Sequence, residues 1–157
     1  MIAALTLFLL AADAGVTSAP KAVVLIAPTP EVFDKWEAAK PSERAAVKGL
    51  TDKVKINERM LIAIAVEGYE LPRSRKVELN ADIVITDSTG RVVLEKVSAA
   101  MARVYDPKTQ VGLVLKPIGA LIYGVTDPEG VYTAKVTVWD QIRGESIKTV
   151  AQFTVSR

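Results

Sequence analysis

Residues 130–155 read GVYTAKVTVWDQIRGESIKTVAQFTV, and apolar and polar side chains alternate along both halves of this stretch. Every second residue of 132–138 is apolar, and residues 147–155 continue the alternation with one threonine on the apolar face. Successive side chains of a β-strand point to opposite faces of the sheet, so this period of two predicts two strands with one buried face each. Residues 140–145 include a glycine and predict the turn that joins the two strands into a hairpin.

The same period recurs in the preceding part of the chain and predicts further short strands. Alternating or apolar runs occur at residues 53–56, 60–66, 77–86, 91–97 and 111–115. The run at 60–66 is apolar on both faces, as expected for a central strand that is covered on each side. Residues 87–90 (DSTG) predict a tight turn between two strands. About seven strands with turns every 8–12 residues are typical of an antiparallel β-sandwich, so the predicted fold class is all-β.

The region before residue 51 contains one predicted helix and one ambiguous segment. Residues 21–27 (KAVVLIA) are either a first strand or a linker packed on the domain. Thr29 is a favourable N-cap and Pro30 suits the first helical position, which predicts a helix of about ten residues. Val32, Trp36 and Ala39 fall on one face of this helix with Phe33 beside them. An isolated helix this short needs a surface on which to pack its aromatic face.

Three segments between the predicted strands carry weaker signals. The run Ala-Ala-Met at 99–101 allows a helical turn, residues 117–126 predict a crossing loop with two glycines, and residues 127–130 (DPEG) predict a tight turn. The predicted domain organisation is a linker with a short helix at 15–50, followed by the sandwich at 51–157.

The chain begins with an apolar run at residues 2–12 (IAALTLFLLAA), which ends in a small-x-small tripeptide. This pattern predicts a signal peptide over residues 1–14 that is cleaved before Gly15. A run of about 12 apolar residues is too short to span a membrane, which takes roughly 20. A buried core segment is the remaining alternative. We therefore expect a periplasmic or secreted protein with no membrane span after cleavage.

The composition excludes several classes of function. The 157 residues contain no cysteine and no histidine, which rules out Ser-His-Asp and Cys-His catalysis, the common zinc sites and disulfides. Twenty basic and 18 acidic side chains give a formal net charge of +2 without a basic stripe, so no nucleic-acid partner is expected. Carboxylate chemistry stays open, but Asp87, Asp127 and Asp140 fall in predicted turns, where aspartate bonds backbone N–H groups. No catalytic residue, metal or cofactor is predicted.

Residues 127–134 (DPEGVYTA) resemble the approach to strand F of an immunoglobulin-like domain. In such domains a tyrosine two residues before the second cysteine ties its hydroxyl to upstream backbone. Tyr132 matches that tyrosine, and Ala134 stands in the place of the cysteine. The wider pattern of residues 31–155 is similar to small uncharacterised secreted proteins of Gram-negative bacteria. This resemblance implies an antiparallel immunoglobulin-like β-sandwich with a short N-terminal helix, and it implies no catalytic residues.

Four side chains are candidates for contact with a partner. Trp139 ends a strand on its polar face with Asp140 beside it, and Tyr69 and Tyr105 fall in loops at strand ends. Aromatic side chains often anchor protein interfaces, and the loops of a scaffold carry function more often than its core does. The alternative for Trp139 is that it packs under a neighbouring loop or under the helix that bears Trp36.

These features predict an exported, non-catalytic binding or structural module of the bacterial envelope. It would contact a protein partner through loops or through an edge strand, whose unpaired backbone groups a partner can extend. One alternative is a secreted protease inhibitor that inserts a loop, such as residues 68–76 or 117–126, into an active-site cleft. Another is an enzyme that uses paired carboxylates.

Overall fold

The computed structural model of the chain describes residues 19–69, 76–105 and 112–157. The predicted signal peptide at 1–14 and most of the predicted loop at 68–76 therefore lie outside the described residues. Within the described ranges the elements, in chain order, are β1 (Lys21–Ala27), α1 (Glu31–Ala38), a 3₁₀ helix (Pro41–Ala46), β2 (Lys53–Lys55), β3 (Arg59–Glu67), β4 (Lys76–Thr86), β5 (Val92–Tyr105), β6 (Leu113–Val114), β7 (Gly119–Ile122), β8 (Gly130–Asp140) and β9 (Glu145–Ser156).

The strands form two sheets that pack face to face. One sheet has the order β1-β3-β6, with β7 also paired to β3, and the other has the order β2-β9-β8-β4-β5. The pairing of β2 with β9 is parallel, and the remaining strand pairs are antiparallel. All nine strands of the described residues contribute side chains to one apolar core between the sheets. The prediction of an all-β fold is confirmed, with nine strands where about seven were expected.

The hairpin predicted at 130–155 is confirmed. Strands β8 and β9 pair along their whole length, with Tyr132 opposite Phe153 and Trp139 opposite Ser146. The N–H of Gly144 donates to the carbonyl oxygen of Asp140 at 2.9 Å and closes the turn. The apolar positions of β8 face the core and are buried, whereas Trp139 and the other residues of its parity point outward.

Strand β3 is buried on both faces because helix α1 covers the side that turns away from the second sheet. Phe33 and Trp36 pack with Leu25 and Ala63 in a second, smaller apolar cluster. The helix has eight residues, fewer than the ten or so expected, and Pro30 takes the N-cap position that the sequence assigns to Thr29. The helix ends at Ala38, and the backbone of the next residue, Ala39, is extended.

Residues 21–27 form a strand, so the linker alternative for this segment is wrong. Each residue of β1 has a partner on β3, from Lys21 opposite Glu67 to Ala27 opposite Leu61. A regular backbone ladder along the edge of a buried strand explains why this apolar run is extended. The sandwich therefore includes β1, which lies ahead of residue 51.

The predictions of a helical turn at 99–101 and of a crossing loop at 117–126 are each partly wrong. In both segments, pairing with a strand that is distant in the sequence overrides the local conformational preference. Residues 98–105 continue β5 instead of forming a helical turn, and they pair with β4 up to Tyr105 opposite Lys76. Residues 119–122, expected within a crossing loop, form β7 and pair with β3.

The tight turn expected at 127–130 lies earlier, where the N–H of Asp127 donates to the carbonyl oxygen of Gly124 at 3.1 Å.

The turn between β4 and β5 is confirmed and is organised by the buried side chain of Asp87. Its Oδ1 accepts hydrogen bonds from the hydroxyl of Thr89 at 2.6 Å, the N–H of Thr89 at 2.9 Å and the N–H of Arg91 at 3.0 Å. Its Oδ2 accepts from Nε of Arg91 at 3.1 Å. These bonds, above all the one from the Thr89 hydroxyl, lower the pKa of the Asp87 carboxyl below its ordinary value.

Asp87→Asn is expected to lower the free energy of unfolding near neutral pH, and the deficit should shrink in acid. A carboxyl whose pKa is lower in the folded than in the unfolded state stabilises the fold above the unfolded-state pKa, and this contribution is lost as the pH falls through the folded-state pKa. Urea denaturation of both proteins at about pH 7 and about pH 2.5 measures the difference. Asp52→Asn, at an exposed position, is the control, and an equal Asp87→Asn deficit at both pH values would contradict this account.

Candidate functional site

The structure places Tyr69 and Asp140 in contact with each other and away from solvent. The hydroxyl of Tyr69 donates a hydrogen bond to Oδ2 of Asp140, and the side chains are 2% and 4% exposed. The guanidinium of Arg143 lies 4.9 Å from the centre of the Tyr69 ring. Burial, followed by the bond to Asp140, raises the pKa of Tyr69. The prediction that Tyr69 and Asp140 contact a partner is corrected here, because both side chains are buried and their polar groups are hydrogen-bonded to each other.

The second oxygen of Asp140 shapes the turn that follows β8. Its Oδ1 accepts from the N–H of Ile142 at 2.9 Å and from the N–H of Arg143 at 3.0 Å. Asp87 and Asp127 likewise accept backbone N–H groups of their own turns. The expectation that these three aspartates serve turns is confirmed. The parity of β8 already indicates that Asp140 is buried, because it lies on the same face as the buried even-numbered residues of that strand.

Tyr105 is the last residue of β5, and its backbone pairs with Lys76. Its side chain lies outside what the structure describes. The prediction for this residue therefore stays a prediction.

Trp139 lies on the outer face of the five-stranded sheet and is 43% exposed. Its indole Nε1 donates to Oδ2 of Asp82 on the neighbouring strand at 2.9 Å. Oδ1 of Asp82 accepts from the N–H of Ser98 at 2.9 Å, where the ladder between β4 and β5 is irregular and Ser98 has φ 52°. Of the two packing alternatives for Trp139, the one beneath the helix that bears Trp36 is wrong, because α1 covers the other sheet. Trp139 is thus a half-exposed ring of fixed orientation.

A second feature is an apolar cleft between the two sheets, where β5 faces β7. Two adjoining cavities of about 170 Å³ and about 210 Å³ share Leu94 and Ala120 in their walls. Their other walls include Ile62 and Ile83 from the facing sheets. Lys96 lies toward one end, and Asp127 lies toward the other. The cleft is therefore lined by apolar side chains with one charge of each sign.

Both strands that border this cleft have an edge without a strand partner in the part of the chain described. Strand β5 pairs with β4 on one side only, and β7 pairs with β3 on one side only. At the end of the cleft the sheets are joined, because Met101 and Lys116 exchange backbone hydrogen bonds of 2.6 Å and 2.7 Å. Beyond Lys116 the chain moves onto β3 as β7, so within the described ranges no strand covers the rest of the edge of β5.

Exposed apolar side chains are frequent near this open edge. Four large aliphatic residues of β5, β7 and the turn that follows are at least half exposed: Val92 (52%), Val97 (78%), Ile122 (65%) and Val125 (66%). This surface could not be predicted from the sequence, because it depends on strand β7, for which no local pattern is present. Among the described residues, no cluster of acidic side chains could hold a metal ion, and no helix has the length and apolarity of a membrane span.

Comparison with known proteins gives no family for this chain. No protein-family profile matches the sequence, and no curated protein is similar to it. An alkylpurine DNA glycosylase of Pseudomonas fluorescens, solved bound to DNA with an abasic-site analog, is similar in fold to 88% of this chain at 15% identity and a TM-score of 0.45. The chain spans only 30% of the length of that enzyme.

Two smaller structures are similar over most of their own length. The CARDB domain of a Pyrococcus furiosus protein, solved in complex with di-metal ions, matches 87% of this chain and 94% of its own at 14% identity and a TM-score of 0.41. A Niemann-Pick type C2 protein from the Japanese carpenter ant matches 88% of this chain and 92% of its own at 11% identity and a TM-score of 0.39. At such identities none of these proteins bears on the function of this chain.

Proposed function

We propose that this chain is an exported, non-catalytic binding module that receives an extended segment of a protein partner as an added strand between β5 and β7. The observation that carries the proposal is the pair of strand edges that face each other across an apolar cleft. Unpaired edges offer the backbone donors and acceptors that an incoming strand needs. A lipid tail would use the apolar walls but would leave those groups unused.

The partner segment would pair with backbone and place alternate side chains in the cleft. Side chains of an extended peptide alternate between two faces, so apolar residues at every second position would meet Ile62, Ile83 and Leu94. The contact of Met101 with Lys116 supports this geometry, because backbone pairing already joins the two sheets there. The best partner is therefore a segment that alternates apolar and polar residues.

An immunoglobulin-like fold is part of the proposal. The hydroxyl of Tyr132 donates to the carbonyl oxygen of Pro128 at 2.8 Å, which is the backbone tie expected of the tyrosine corner in such domains. The apolar N-terminal run supports export to the periplasm or the medium. The turn hydrogen bonds of Asp87, Asp127 and Asp140 support a non-catalytic role, since these carboxylates are engaged by backbone.

The protease-inhibitor alternative has weaker support. An inhibitor of this kind would insert a loop, such as residues 117–126, into the active site of a protease. Residues 119–122 of that segment form β7 and are paired with β3. The other segment, 68–76, lies mostly outside the described residues. Strand addition is favoured because it uses surfaces that the described residues form.

Leu94→Trp is expected to weaken peptide binding strongly. Leu94 lines both cavities and lies opposite the buried core residue Ile85, so an indole at this position would fill the cleft. The probe is a library of random eight-residue peptides displayed on phage and selected against the purified protein. We expect enriched sequences with alternating apolar residues and at least about a tenfold loss of their affinity in Leu94→Trp.

Ala38→Trp, on the exposed side of α1, is the matched control and should retain the binding of the selected peptides. Either of two results would overturn the proposal: a selection that enriches no such sequence, or selected peptides that bind Leu94→Trp as well as they bind the unchanged protein.

A further inference from the structure

The outer face of the five-stranded sheet carries a compact polar patch around Trp139. The register of β8, β4 and β5 arranges its side chains in rows that cross the three strands. The middle row is Trp139, Asn80 and Met101; one flanking row is Gln141, Glu78 and Arg103; the other is Thr137, Asp82 and Ser98. Spacings of about 4.8 Å between strands and about 6.8 Å along them make this patch roughly 10 Å by 14 Å.

Several side chains of the patch end in planar polar groups: the amides of Asn80 and Gln141 both donate and accept hydrogen bonds, carboxylates accept them and the guanidinium of Arg103 donates them. Glu78, Asn80, Arg103 and Gln141 border a depression of about 220 Å³ with Met101 beside them. An amide, a carboxylate or a guanidinium can each engage two adjacent hydroxyls of one molecule. Nδ2 of Asn80 donates to Oγ of Ser98 at 2.8 Å, whereas Oδ1 is shielded from solvent and has no hydrogen-bond partner among the described residues. A turn of this amide that exposed Oδ1 to a ligand hydroxyl would therefore be stabilising.

The charges of the patch disfavour an anionic ligand. The guanidinium of Arg103 pairs with the carboxylate of Glu78 at 2.6 Å. The carboxylate of Asp82 is engaged by the indole N–H of Trp139 and the N–H of Ser98. The patch thus carries no net positive charge, and a phosphate or carboxylate ligand would meet no net electrostatic attraction. A neutral polyhydroxyl ligand fits this balance.

We infer that this patch binds a neutral carbohydrate of about two sugar rings, with one ring stacked on Trp139. The hydrogen bond from Nε1 to Asp82 holds the indole in one orientation, so little side-chain freedom is lost when a ligand stacks on the exposed face. The C–H groups on one side of a pyranose form an apolar surface that matches an aromatic ring, and its hydroxyls would reach Asn80 and Gln141. This face is separate from the cleft between β5 and β7.

The inference is tested by titrating the ¹⁵N-labelled protein with cellobiose, maltose and N,N′-diacetylchitobiose, each to about 20 mM, a range that suits a Kd near 1 mM. We expect saturable shifts of the amide signals of residues 78–82 and 137–141 with at least one of these sugars. Trp139→Ala and Gln141→Ala should each weaken that binding about tenfold or more, and Trp139→Phe, which keeps a ring, should weaken it less.

Val150→Ala, which changes an exposed residue elsewhere on this sheet, is the matched control and should bind as the unchanged protein does. Leu94→Trp should also leave sugar binding unchanged, which separates this site from the proposed strand-addition cleft. The inference is overturned if none of the three sugars gives a saturable shift, or if a sugar binds Trp139→Ala and Gln141→Ala with unchanged affinity. Retained amide spectra of both variants show that each is folded.

Discussion

Trp36→Ala is expected to lower the free energy of unfolding by about 3–5 kcal/mol, as large-to-small changes of buried aromatic residues do. Trp36 is 2% exposed and lies between α1 and the outer side of β3. Its ring also supports the guanidinium of Arg44, whose centre lies 4.9 Å from the ring centre. Arg44 is itself only 2% exposed, so without the ring its guanidinium would border an empty cavity inside the fold.

The state of Arg44 adds to the expected loss. Nε and Nη2 of Arg44 have no hydrogen-bond partner among the described residues, and the nearest carboxylate oxygen, of Glu67, lies 4.0 Å from Nη1. The aromatic face of Trp36 is thus a major stabilising neighbour of this charge. A buried cation that loses such a contact is costly, because its desolvation is no longer offset.

Urea denaturation of Trp36→Ala and Trp139→Ala provides the measurement with a matched control. Trp139 is the other tryptophan of the chain and is 43% exposed, so its removal should cost no more than about 1 kcal/mol, mainly through the hydrogen bond to Asp82. Equal losses in the two variants would show that the layer formed by α1 does not belong to the cooperative unit.

The importance of Trp36 follows from the length of its helix. An isolated helix of eight residues has little stability in water, so α1 persists because its aromatic face is buried on the sheet. In turn the helix shields one side of β3, whose residues are apolar on both faces. The helix is therefore a third layer of the fold, and it covers the side of β3 that the second sheet does not.

The elements that could be predicted from the sequence are those whose pattern is local. The alternation in β4, β8 and β9 determines which residues are buried, and the doubly apolar run of β3 indicates a central strand. The aromatic side of α1 could also be predicted, because Phe33 and Trp36 lie three positions apart and share one face. In each case the spacing of apolar residues within one segment is enough to predict the element and its buried face.

The elements that could not be predicted depend on partners far away in the sequence. Residues 99–102 are rich in alanine, which favours a helix, yet they extend β5 because β4 offers a ladder and small side chains fit the core there. Strand β7 has four residues and is extended because β3 pairs with it. The cleft is formed by both segments, so it could not be anticipated.

The candidate contact residues illustrate the same limit. The exposure of Trp139 agrees with its parity in β8, which alternation reveals. The bond between Tyr69 and Asp140 joins residues 71 positions apart, and no local pattern announces it. The polar row of Asn80, Gln141 and their neighbours was missed because it exists only when three strands are aligned in register.

Tyr132→Ala is expected to cost about 3–5 kcal/mol, whereas Tyr132→Phe should cost about 1 kcal/mol. The ring of Tyr132 is fully buried, with its centre 4.9 Å from that of Tyr123 and 5.6 Å from that of Phe153. Phenylalanine keeps this packing and loses only the hydrogen bond from the hydroxyl to the carbonyl oxygen of Pro128. Alanine loses both and leaves a cavity where the two sheets meet.

The two variants separate the contribution of the ring from that of the hydroxyl. Burial raises the pKa of Tyr132, so the hydroxyl stays protonated and continues to donate in mildly alkaline solution, where the difference between Tyr132→Phe and the unchanged protein should persist. Val131→Ala, at the adjacent position with 48% exposure, is the control and should change stability by no more than about 0.5 kcal/mol. If Tyr132→Phe were as damaging as Tyr132→Ala, the corner hydrogen bond rather than the aromatic cluster would hold this end of β8 in the sandwich.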